Sequence, residues 1–246
     1  MPVHVERRGR VEIITIDDAE RRNVLSDELV AGIVTAIDAA ESDEGVGALV
    51  ITGAGKAFCA GADLSDLAAM GSGEREPGSV VGVYEGFLRV LRSPLPTVAA
   101  VNGPAVGAGF NLALAADLRI AGESARFDAR FLQIGIHPGG GHTWLLDRAV
   151  GPQAAAAIDL FGNRLDGAAA ARIGLEWECV PDAELLDRAV EHATRAADAP
   201  RELSIRTKAT LRRAHATAEH DTALAYELHD QVWSFGQPWF AERTGR

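Results

Sequence analysis

Apolar positions alternate over the start of the chain: Val3 and Val5, then Val11, Ile13, Ile14 and Ile16. The Arg8-Gly9-Arg10 break between the two runs predicts a β-hairpin. The period then lengthens. Ser26-Asp27-Glu28 opens a helix to about Ala40, with Leu29, Ile33, Ala36 and Ile37 on one face. A strand over Ala48–Thr52 follows. Residues 68–79 mix Gly71, Gly73, Pro77 and Gly78 with charges and read as a loop, a candidate lid. A second amphipathic helix spans Ser79 to Arg92, with Val80, Val83, Tyr84, Phe87, Leu88 and Leu91 as its stripe. Pro94 and Pro96 end it. Strands are expected at Thr97–Val101, Leu118–Ala121 and Ala125–Phe127. Beyond Gly135 the pattern turns helical: a helix runs through Val150, Pro152 starts another, and Asp166 caps a third. Ala183 to Gly236 reads as two or three long helices, and Pro238 starts a short last one over 239–243. Strand–helix units in this order predict a layered α/β core over residues 1–180. Residues 181–246 form a helical C-terminal region.

Two Gly/Ala-rich turns interrupt this pattern. Residues 57–64 read Ala-Phe-Cys-Ala-Gly-Ala-Asp-Leu, and residues 102–112 read Asn-Gly-Pro-Ala-Val-Gly-Ala-Gly-Phe-Asn-Leu. Each follows a strand and leads towards a helix. Small residues let backbone N–H groups approach a ligand, and a helix start favours negative charge. Two such turns can aim two N–H donors at one carbonyl oxygen, which is an oxyanion hole. That chemistry suits thioester carbonyls and enolates.

Composition narrows the partners. Hydrophobic residues make up 47% and charged residues 24%, enough for a globular core. The net charge of −11, without a basic run, argues against a nucleic-acid surface. Cys59 and Cys179 lack metal-site or disulfide spacing, which fits a reducing cytoplasm, and Cys59 reads as a small buried residue. No signal-peptide core or run of about 18 apolar residues occurs, so neither export nor membrane insertion is expected.

Together these segments resemble the crotonase family, the enoyl-CoA hydratases and isomerases. Glu20-Arg21-Arg22-Asn23-Val24-Leu25, the 57–64 turn, Pro96–Val101 with the 102–112 turn, Gly135–Trp144 and Phe240–Arg243 fall in the family's order and spacing. The resemblance implies a fold of repeated ββα units and a C-terminal region that drives homotrimers or dimers of trimers. It implies an acyl-CoA thioester as ligand, with no further cofactor and no metal. By position, the oxyanion donors are the N–H groups of Ala62 and Ala108, the latter where glycine is commoner. Ala60, Asp63 and Leu64 match the stretch that holds adenine and pantetheine, with Val24 beside it. Arg21 and Arg22 match positions near the CoA phosphates. Phe240 and Arg243 match positions that reach CoA from a neighbouring subunit. For each arginine a solvated surface charge is the competing reading.

The acid/base positions depart from the family. The two glutamates of its hydratases fall at Asn111 and Phe131, and the aspartate of some isomerases falls at Gly139. None of these exchanges a proton near neutral pH. Asp128, with Phe127 and Phe131 nearby, is a candidate replacement whose pKa an apolar setting would raise; an ion pair with Arg126 or Arg130 is the alternative. His137, in the Gly135-Ile136-His137-Pro138 turn, is the other. His142 and Tyr84 read first as packing residues, and Glu74 and Glu76 as solvated loop charges. The expected function is thus acyl-CoA binding with enolate stabilisation of the hydratase/isomerase type. The alternatives are a non-catalytic acyl-CoA binder, or an isomerase, decarboxylase or thioesterase using Asp128 or His137.

Overall fold

A computed structural model describes residues 2–76, 79–216 and 233. The expected hairpin is present as β1 (Val3–Arg8) and β2 (Val11–Ile16), paired antiparallel. β2 then continues into parallel pairing with β3 (Ala48–Gly53), β4 (Thr97–Val101), β6 (Leu118–Gly122) and β9 (Glu178–Val180) in the order β1-β2-β3-β4-β6-β9. A second, small sheet holds β5 (Pro104–Val106), inside the second Gly/Ala-rich turn, with β7 (Arg126–Asp128) and β8 (Leu165–Asp166). β5, β8 and β9 are too short for periodicity to reveal.

Both faces of the main sheet are buried, as parallel sheets require. Alternate residues divide between them. Ile14, Ile16, Leu49, Ile51, Ala99 and Val101 face α1 (Asp27–Ser42), α3 (Val80–Arg92) and α4 (Ala108–Leu114). Ser26 caps α1 by accepting from the Leu29 N–H. Val11, Ile13, Ala48, Val50, Val98, Ala100 and Ile120 face α7 (Leu185–Ala197), which buries Leu185, Ala189, Ala193 and Ala197. α7, which follows residue 180, thus covers the second face of the main sheet. Its small residues at helical spacing let it lie flat on the strands. α8 (Arg201–Ala216) follows, tied down by Arg201 to the Val46 and Glu41 carbonyls.

The stretch expected as a loop from residue 68 is partly helical. α2 spans Leu64–Ser72, because the Asp63 side chain caps it at the Ser65 N–H and Gly73 closes it at φ 80°. Downstream, α5 (His142–Asp159) breaks at Gly151, immediately before Pro152, so the two expected helical segments share one name. Asp166 caps α6 (Gly167–Arg172) at the Ala169 N–H, as expected. The helices expected after 216, and the last one over 239–243, lie outside the described residues. Among the described residues, no helix is long and apolar enough to cross a membrane, and no group of three His, Cys, Asp or Glu side chains could hold a metal ion.

Candidate active site

The two Gly/Ala-rich turns meet at the carboxyl ends of β3 and β4. The Val106 N–H donates to the Cys59 carbonyl at 3.0 Å, and the Phe58 and Cys59 N–H groups reach the Pro104 carbonyl, both at 3.1 Å. Glycine makes the approach feasible. A Cβ on Gly109 would lie 2.0 Å from the Cys59 carbonyl oxygen, and one on Gly61, at φ 89°, 2.4 Å from that of Val106. A third segment locks the first turn. Asn23 is fully buried at φ 58°, and its amide faces the carbonyls of Ala54, Ala57 and Phe58 at 2.9–3.2 Å. The Leu25 N–H donates to Gly61, and the Ala60 N–H to Arg22. Nothing local in the 20–25 segment of the sequence marks the three-carbonyl grip of Asn23.

This junction walls one side of a cavity of about 120 Å³. Ala62 and Ala108 both line it, and among the described residues neither backbone N–H has a hydrogen-bond partner. Leu67, Val83, Phe131, Ile134 and Ile136 make much of the remainder apolar. Its polar side chains are Tyr84, Asn111, Arg130 and His137.

Asn111 is buried and doubly held. Its Nδ2 donates to the Gly139 carbonyl at 3.1 Å, and its Oδ1 lies 2.6 Å from His142 Nδ1. The other ring nitrogen of His142 lies 3.0 Å from Asp159 Oδ1, at the far end of α5. The His142 ring packs against Phe131 and Phe110, with centroids 4.9 and 5.4 Å away. His142 is thus more than a packing residue at a helix start; it orients Asn111. Its partner Asp159 lies 17 residues away, beyond the reach of motif spacing.

Asp128 is buried in ion pairs: Arg130 Nη2 and Arg164 Nε both bond its Oδ2 at 3.0 Å, the first being a pairing expected from the sequence and the second not. The carboxylate serves to hold Arg130 on the cavity wall at φ 58°. His137 stands exposed at the cavity rim. Its Nδ1 lies 2.7 Å from the Pro138 carbonyl, which can only accept, so Nδ1 carries a hydrogen and, in the neutral ring, the lone pair is on Nε2. Cys59 is buried as expected, and that burial pushes its thiol up to about 12.

The expected CoA positions lie together around the first turn. Ala60 and Leu64 line the cavity, and Val24 bridges to Gly61. Asp63 accepts from the Ser65 hydroxyl and N–H and pairs with Arg21, contacts that hold its carboxyl below the usual range. Its demonstrated work is capping α2. Arg22 is exposed, at φ 58°. Phe240 and Arg243 lie outside the described residues.

The family profile for enoyl-CoA hydratase/isomerase matches residues 6–236. The chain belongs to the enoyl-CoA hydratase/isomerase family. A Mycobacterium tuberculosis protein named "Probable enoyl-CoA hydratase EchA14" is 49% identical over 250 residues, covering 98% of this chain and 95% of the relative. The 1,2-epoxyphenylacetyl-CoA isomerase of Escherichia coli is 38% identical over 200 residues, covering 80% of this chain and 76% of that protein. Among solved structures, enoyl-CoA hydratase from Bacillus anthracis superposes with a TM-score of 0.92 at 28% identity, covering 100% of this chain and 97% of that one. The fold is that of the crotonases, a mixed α/β core with helices towards the C-terminus.

Proposed function

We propose that this family member binds an acyl-CoA thioester along the 57–64 turn and holds its carbonyl oxygen between the N–H groups of Ala62 and Ala108. The supporting observation is the junction of the two turns, which leaves both donors unbonded on one cavity wall. Preorganised donors in an apolar site stabilise an enolate more than they would in water. Arg21, Arg22 and Arg243 would meet the CoA phosphates. Ala60, Val24, Asp63, Leu64 and Phe240 would flank the adenine and pantetheine. Assembly as a homotrimer or dimer of trimers, in the cytoplasm, belongs to the same reading.

The reaction is of the isomerase kind. His137 Nε2 takes the α-proton as the C–H bond breaks, and the electron pair moves onto the thioester oxygen. On a 3-enoyl thioester the enolate collapses as the imidazolium, whose proton exchanges with solvent, returns one to the γ-carbon and the double bond shifts; on a saturated thioester it returns one to the α-carbon. Hydration of an enoyl thioester is disfavoured, since Asn111 and Phe131 supply neither a base for water nor an acid for carbon. The same two residues favour a second reading, a binder that turns nothing over.

Deuterium exchange distinguishes these readings. Butyryl-CoA incubated with the protein in D₂O should lose its α-proton signals by NMR, and His137→Gln should slow this by ~10²–10⁴. Crotonyl-CoA should show little hydration by loss of enoyl absorbance. Binding without exchange would leave the non-catalytic reading standing. Rapid hydration of crotonyl-CoA would refute the assignment of roles.

A further inference from the structure

Two polar groups on the cavity wall, Tyr84 and Asn111, stand outside this proton transfer, and both flank Gly139. A Cβ on Gly139 would lie 2.3 Å from the Tyr84 hydroxyl oxygen, so the phenol fills the space in which a side chain at 139 would begin. This is where some isomerases of the family carry an aspartate. Tyr84 is half-buried, and its hydroxyl has no hydrogen-bond partner among the described residues. Buried tyrosine hydroxyls ordinarily find one. On the other side, Asn111 Nδ2 donates one hydrogen to the Gly139 carbonyl. A primary amide has two. The amide cannot turn over without placing its oxygen against the Gly139 carbonyl, which can only accept. Its donor end is therefore fixed.

Apart from His137, whose Nε2 serves the proton transfer, the described residues of the cavity wall offer these two donors no acceptor from another side chain. No carboxylate lines it among the described residues, since Asp128 is taken up by Arg130 and Arg164. Phe131, which replaces the second glutamate, contributes only an apolar surface. An unsubstituted acyl chain would leave the Tyr84 hydroxyl and the second Asn111 N–H dry and unpaired, a cost of about 1–3 kcal/mol for a buried polar group. We infer that Tyr84 and Asn111 form an oxygen site selecting acyl-CoA thioesters with an acceptor oxygen on the acyl chain, a ketone or epoxide, over their hydrocarbon analogues. His142 and Asp159 act as positioning residues that keep the Asn111 donor aimed. The inference rests on the acyl-CoA reading above.

A matched ligand pair tests it. Acetoacetyl-CoA and butyryl-CoA differ by one ketone oxygen, and isothermal titration gives the ratio of their affinities. The wild-type protein should prefer acetoacetyl-CoA by roughly tenfold or more, the sum expected of two neutral hydrogen bonds. Tyr84→Phe keeps the ring and removes the hydroxyl, and should cut the preference about fivefold, one hydrogen bond's worth. Asn111→Asp keeps an acceptor for His142 and removes the donor, and should cut it at least as far. Butyryl-CoA affinity should rise in Tyr84→Phe, which has no hydroxyl left to bury unpaired. Equal wild-type affinities overturn the oxygen site while leaving the CoA site intact. A preference that survives both variants overturns the assignment to these residues. Failure of the wild-type protein to bind either thioester overturns the acyl-CoA reading and this inference with it.

Discussion

Glu176 offers a sharp test of how far burial governs this core. It precedes β9 with its side chain fully buried, and neither carboxyl oxygen has a hydrogen-bond partner in the structure. The nearest cation, Arg119 Nε, is 3.9 Å away and directs its hydrogens to the Leu175 and Ala116 carbonyls instead. Desolvation therefore dominates, and the Glu176 carboxyl is pushed up to about 8. A carboxyl raised above its unfolded value of 4.5 keeps its proton in the folded state while the unfolded chain ionises. Stability from this group is therefore present below pH 4.5 and is lost progressively as pH rises towards 8. At about 1.4 kcal/mol per unit, the loss reaches roughly 5 kcal/mol by pH 8, an upper bound that relaxation of the site would reduce. Glu176→Gln abolishes the titration at nearly constant shape. The two proteins should melt together at pH 5, and the variant should melt about 10 °C higher at pH 8, at 2–4 °C per kcal/mol for a domain of this size. Lys208, lowered by burial to about 8, titrates in the neighbouring range, but it is common to both proteins and drops out of the difference. Scanning calorimetry at pH 5, 6.5 and 8 makes the measurement. A difference in melting temperature that does not change with pH would refute the burial argument. A variant that falls further behind at high pH would show Arg119 to be the stronger influence.

Two further substitutions probe the junction of the turns. Gly109→Ala places a methyl 2.0 Å from the Cys59 carbonyl oxygen, which must move by more than 1 Å; the variant should lose about 1–3 kcal/mol of stability in urea melts and most of its acyl-CoA affinity in titration. Unchanged binding would show that the contact between turns does not set the donors. Asn23→Ala strands the carbonyls of Ala54, Ala57 and Phe58 that its amide serves, and should cost about 1–3 kcal/mol by the same melts, whereas a loss under 0.5 kcal/mol would mean that other groups replace it.

The sequence by itself determined the hairpin, α1, β3, α3, β4, β6 and the two turns, while β5 and α2 escaped it. These are local facts. Alternation writes the hairpin, helical spacing writes α1 and α3, and glycine or alanine in a turn declares close backbone approach wherever it folds. Tertiary structure alone decided what the polar residues do. Asp128 and His137 looked equivalent as candidates along the chain. Folding gave Asp128 two guanidinium partners, one of them from Arg164, and left His137 Nε2 open at the cavity rim. Asn111 acquired its fixed donor end from Gly139 and His142, and His142 its anchor from Asp159. α7 joined the core because the second face of a parallel sheet had to be covered. A side chain's partner depends on which distant segment the packed core delivers to it, and hydrogen bonds and ion pairs over 3 Å are settled only after that packing is complete.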